Sequence, residues 1–84
     1  MEVGKLDDYG FLNYYEIINE SFYFNISFFQ IPYSCRIDKR YLTKEHYSID
    51  IEGPNILFNS FEVWLYEYWA EDLFELYKKL MKND

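Results

Sequence analysis

The chain has 84 residues and a net charge of −7, with 50% apolar and 24% aromatic residues: ten Tyr, eight Phe and two Trp. That length suits one core, so residues 1–84 are read as a single domain, and the apolar share excludes wholesale disorder. No apolar run approaches the roughly 20 residues of a membrane span, and the lone Cys35 excludes an internal disulfide or a Cys-based zinc site.

The first residues, Met1 to Asp8, have neither a basic start nor an apolar stretch, so no secretory signal is expected and a cytoplasmic location is. Residues 9–20 fit two readings. Phe11, Tyr15 and Ile18 share a helical face that Asp7 or Asp8 would cap, whereas Tyr14-Tyr15-Glu16-Ile17-Ile18 has strand propensity, with Asn19-Glu20-Ser21 as a turn. The strand is favoured. Phe22 to Phe29 alternates, with Phe22, Phe24, Ile26 and Phe28 on one side and Tyr23, Asn25, Ser27 and Phe29 on the other. Pro32 is expected to end or edge that run, because it offers no amide proton to a ladder. Tyr33 to Asp38 reads as the next strand, and Lys39 to His46 as an exposed charged connection.

Tyr47-Ser48-Ile49-Asp50-Ile51-Glu52 alternates as a half-buried strand. Gly53-Pro54-Asn55 breaks it, and Ile56-Leu57-Phe58 is expected to return as its hairpin partner. A helix is predicted over 61–82, with Asn59 as N-cap, Glu62 as its capping-box partner and Phe58 with Val63 as a hydrophobic staple. Phe61, Leu65, Trp69, Leu73, Leu76 and Leu80 form its apolar stripe. Lys78, Lys79 and Lys82 sit at its end, where cations suit the carbonyl pole. Residues 61–69 also alternate like a strand, which would start the helix near Ala70 instead. The expected fold is α+β: a small antiparallel sheet of three to five strands with one C-terminal helix packed on one face.

Few residues offer catalytic chemistry. His46, the only histidine, has no local partner, and Cys35 has only Arg36 beside it to depress its pKa. The three Gly are isolated, so no phosphate cradle is predicted, and Asp50-Ile51-Glu52-Gly53 is too sparse for a calcium loop. Asn25-Ile26-Ser27 fits a glycosylation triplet but lies in a strand. No enzyme activity, cofactor or metal is expected.

Charge is segregated along the chain. Residues 1–35 hold one Lys against five acids, and residues 47–77 hold seven acids with no Lys or Arg. Arg36, Lys39, Arg40 and Lys44 make a basic island whose expected role is pairing with local acids or marking the rim of a protein interface. Such an acidic body repels nucleic acid and anionic membranes and steers toward basic surfaces. Glu67, Glu71 and Glu75 recur at i, i+4, i+8, with Glu62 continuing the row and Asp72 beside it. Like charges at that spacing weaken a helix by a few tenths of a kcal/mol per pair, which a basic partner would relieve. Tyr66, Tyr68, Phe74 and Tyr77 fall outside the apolar stripe. The first three, with the five acids, form the candidate partner-binding set.

In size and charge the chain resembles small phage proteins that block host defence nucleases, anti-CRISPR proteins among them; no motif assigns it to a family. The resemblance implies inhibition by occupying a basic groove built for nucleic acid, possible nucleic-acid mimicry included. An immunity protein or antitoxin that masks a nuclease toxin answers the same electrostatic demand. A homodimer whose interface takes up the excess rings is the third reading.

Overall fold

The computed structural model describes residues 1–82. The chain runs β1 (Gly4–Lys5), β2 (Gly10–Ile18), β3 (Ser21–Phe28), β4 (Ile31–Ile37), a 3-10 turn (Lys39–Thr43) and β5 (Asp50–Glu52). A helical rod then follows as α1 (Phe58–Trp64), a π-turn (Leu65–Trp69) and α2 (Ala70–Lys82). The strands form one antiparallel sheet in sequence order, and the rod packs on one of its faces. This is the α+β fold that the alternation patterns predict.

Two tight hairpins set the register. Asn19-Glu20 and Phe29-Gln30 both have left-handed φ at each central residue, 50° and 69°, then 49° and 65°. That is the primed turn geometry whose twist matches the flanking strands. Residues 9–20 are therefore strand and turn, as propensity favours. Phe29 leaves the strand and occupies the second turn, one residue short of the expected end. Pro32 does not end the run; it lies inside β4 opposite Ser27. The Phe28–Ile31 pair flanks the turn and exchanges hydrogen bonds, so the next pair does not. Pro32 thus takes nothing from β3, and β5 reaches only from Ser34 to Arg36 on its other side.

The last sheet strand is shorter than predicted. Tyr47 drops onto Phe74, with ring centroids 4.3 Å apart, and the Ile49 amide donates to the Tyr66 hydroxyl at 2.7 Å. Only Asp50–Glu52 remain to pair with β4. Ile56-Leu57-Phe58 forms no returning strand. Leu57 is left-handed at φ 57° and starts the helix at Phe58 without a side-chain cap. Asn59 and Glu62 therefore form no capping box, and Val63 faces solvent at 57% exposure instead of stapling Phe58. The helix begins early because Phe61 stacks on Tyr33 at 4.2 Å and 5°, while the Tyr33 hydroxyl donates to the Ile56 carbonyl.

The core is an aromatic layer between sheet and helix. Phe22 stacks on Tyr77 at 5.3 Å, and Phe28 meets both Phe61 and Trp64. The π-turn puts the second half of the helix in phase with this layer. A regular α-helix continuing from Phe61, Trp64 and Leu65 would next aim Tyr68, Asp72 and Glu75 inward. The π-turn takes up one extra residue, so Ala70, Leu73, Phe74 and Tyr77 are buried instead. Phe74 and Tyr77, expected outside the apolar stripe, thereby belong to the core.

Candidate partner-binding surface

The face of the helix turned from the sheet carries the predicted acids. Glu62, Glu67, Glu71, Asp72 and Glu75 are all exposed. Glu67, Glu71 and Glu75 follow one another at helical spacing along this face, each step advancing about 6 Å. Glu62 does not extend their line. It lies beside Tyr66 toward β5, where its charge and that of Asp50 act on the Tyr66 hydroxyl. Asp72 takes the opposite flank, in a shallow groove shared with Trp69, Leu76 and the N-terminal Met1 and Leu6. Glu71 and Glu75 also border Tyr47, whose hydroxyl pKa is raised by burial first and by these carboxylates next.

Among the described residues, one ion pair touches the row. Glu75 meets Lys78 at 2.9 Å, with both side chains well exposed, so water screens it and it adds little stability. Lys5, near Asp72 and Glu75 in the same groove, pairs with Asp8 at 3.2 Å.

The rings of the candidate set divide. Tyr68 is 65% exposed and lines a shallow groove with Asn59, Ser60, Val63 and Glu67. Tyr66 is 40% exposed, yet its hydroxyl is fixed by the Ile49 amide. Phe74 is withdrawn from the set. It is buried, stacked on Tyr47 and covered by the Lys78 ammonium 5.0 Å from its ring centroid.

A second group of exposed rings lies at the β2–β3 end of the sheet. Tyr9, Phe11, Tyr14 and Phe29 are each more than two-fifths exposed, and Tyr9 packs on Phe29 at 5.5 Å. Alternation places Phe11 and Tyr14 on the uncovered face, opposite Ser27 and Asn25. The signal for this group lies in the strand alternation, which puts its strand members on the side away from the helix.

The basic island is largely occupied at home. Arg36 lies between Asp50 at 3.1 Å and Asp38 at 3.5 Å, and its guanidinium sits 5.9 Å from the Tyr23 ring centroid. Arg40 also reaches Asp38, at 3.8 Å. Arg40 and Lys44 both approach the Tyr41 ring. Cys35 is buried in β4, and burial pushes its thiol pKa far up. Among the described residues no group of three His, Cys, Asp or Glu side chains has a metal-binding arrangement. Nor is any helix among them long and apolar enough to cross a membrane.

No protein-family model, no curated protein and no solved structure matches the chain.

Proposed function

We propose that the protein is an inhibitor that acts by binding, with the exposed face of its helix laid against a basic groove on a nucleic-acid-handling protein. One observation carries the reading. Glu67, Glu71 and Glu75 form a line of exposed carboxylates along the rod, flanked by Glu62 with Tyr66 on one side and by Asp72 on the other. A row of carboxylates about 6 Å apart presents a regular line of single negative charges, as a nucleic-acid backbone does with its phosphates. The charges steer the encounter, and the exposed Tyr68 ring supplies apolar contact beside them. Phage anti-defence in the cytoplasm is the setting in which such a protein works. Masking of a nuclease toxin is the same chemistry in another context.

The test is capture from lysate of the source cells by the immobilised protein, compared with the Glu67→Lys, Glu71→Lys, Glu75→Lys triple variant. A nuclease or nucleic-acid-binding protein retained by the first and lost by the second is the expected result. The purified partner should then lose nucleic-acid binding or cleavage as inhibitor is titrated in. Equal capture by both proteins, or a captured partner with undiminished activity, overturns the proposal.

A further inference from the structure

The outer edge of β2 is used neither by the core nor by the acidic helix face. β1 pairs only with Phe11 and Leu12, and a bulge at Asn13 follows. From Tyr14 to Ile18, β2 has β3 on one side and, among the described residues, no strand on the other. The hairpin decides which backbone groups face outward. The Ile18–Ser21 pair flanks the two-residue turn and exchanges hydrogen bonds, and alternate pairs do the same. Glu16 and Tyr14 therefore bond to Tyr23 and Asn25 of β3. Tyr15 and Ile17 aim their N–H and C=O groups away from the sheet.

Sheet edges are ordinarily protected by Lys, Pro or a local twist. The segment Tyr14-Tyr15-Glu16-Ile17-Ile18 contains no Lys, Arg or Pro, and its only bulge lies before it. Tyr14 and Ile18 are 41% and 42% exposed. We propose that this edge pairs antiparallel with the same edge of a second copy about a two-fold axis, joining two five-stranded sheets into one.

The charge pattern favours a copy over a cationic partner here. Residues 9–19 carry a single charge, Glu16, in a chain of net charge −7. This is where two like-charged molecules approach with least repulsion, whereas a cationic segment finds its complement on the helix. A strand is also its own geometric match about a two-fold axis. Three registers bring outward-facing groups together. Tyr15 opposite its own mate would carry Ile18 against Leu12, whose outer side Gly4 of β1 already holds. Ile17 opposite its own mate runs Tyr15 into the Asn19 turn. Tyr15 opposite Ile17 uses only the free edge from Tyr14 to Ile18 and sets Tyr14 against Ile18, with Glu16 against its own symmetry mate as its cost. This last register is the one inferred, and it holds whether or not the helix inhibits anything.

Sedimentation from nanomolar to millimolar protein, with residue-resolved amide exchange, tests this. A concentration-dependent dimer is expected, and protection should rise at the Tyr15 and Ile17 amides while Tyr14 and Glu16 are already protected in the monomer. Glu16→Gln should tighten the dimer by about three-fold, through loss of the like-charge pair on the axis, and Glu16→Lys, which restores a like-charge pair, should not. Circular dichroism checks that these surface variants fold. A monomer at every concentration overturns the proposal. So does a dimer whose Tyr15 and Ile17 amides exchange as in the monomer, or one that is indifferent to Glu16→Gln.

Discussion

The Asp7 carboxylate accepts the indole N–H of Trp69 at 2.8 Å across 62 positions of sequence. The same oxygen accepts Trp64 Nε1 at 3.0 Å, and the other oxygen accepts the amides of Tyr9 and Gly10. One short acidic turn thus ties the first strands to both ends of the π-turn. Its removal leaves two indoles without their acceptor. Asp7→Ala should destabilise the protein by about 2 kcal/mol, read as a shift of the urea midpoint, and Asp7→Asn by less because its amide oxygen still accepts.

The same contact gives stability an acid limb, and Tyr77 gives it an alkaline one. Burial works to raise the Asp7 pKa, but the hydrogen bonds from Trp69, Tyr9, Trp64 and Gly10 outweigh it and hold the folded value below 3.8. The unfolded chain therefore binds the proton first as pH falls. The Asp7 contribution is whole above about 3.8 and is lost as pH drops through the folded value. The Tyr77 hydroxyl, which donates to the Glu20 carbonyl, is pushed up to about 12 from 10.0 by burial first, then by Asp38 and Glu20. Its contribution is whole below 10.0 and is lost as pH rises through about 12. Denaturation midpoints across pH should fall at both ends, and Asp7→Asn should flatten the acid one.

Gly10 admits no side chain. A Cβ there would lie 2.2 Å from the outer ring carbon of Trp64, a ring that is nearly buried and held at its indole nitrogen by Asp7. Gly10→Ala should lower stability by about 1–3 kcal/mol, measured by thermal unfolding, with the near-ultraviolet signal of Trp64 altered.

The Phe29-Gln30 turn carries backbone strain that another sequence would avoid. Left-handed backbone disfavours a non-glycine residue by roughly 1–2 kcal/mol, and Asn-Gly is the usual occupant of such turns. The compensation is contact of Phe29 with the buried Phe28 at 4.8 Å and with the exposed Tyr9. Replacing Phe29-Gln30 by Asn-Gly should raise stability by about 1 kcal/mol in equilibrium denaturation. A loss instead would show that the ring contacts outweigh the strain.

The acidic row predicts opposite effects on stability and on binding. Glu67→Gln with Glu71→Gln should stabilise the helix by a few tenths of a kcal/mol. The gain should shrink as salt rises, while affinity for a basic partner falls. Melting temperatures at low and high ionic strength check the first part.

Much of the fold is legible in alternation. Phe22, Phe24, Ile26 and Phe28 announce β3 and its buried side, and Leu65, Leu73 and Leu76 announce a helix. What the sequence conceals depends on distant partners. Tyr33 draws Phe61 and the helix start toward itself, so local capping signals at Asn59 and Glu62 lose to tertiary stacking. Tyr47 leaves its strand for Phe74. At the candidate surface, the exposed acids follow from helical spacing alone. Regular helical spacing misplaces Phe74 because a π-turn shifts phase, and nothing in Leu-Tyr-Glu-Tyr-Trp signals one.

That π-turn makes the helix two half-patterns spliced out of step by one position. Removing a residue from 65–69 would leave an ordinary α-helix with both halves still turned to the rings beneath. The same removal within α2 would carry carboxylates into the aromatic layer. The rod therefore has one site at which it tolerates shortening, and that site lies between the two tryptophans that Asp7 holds.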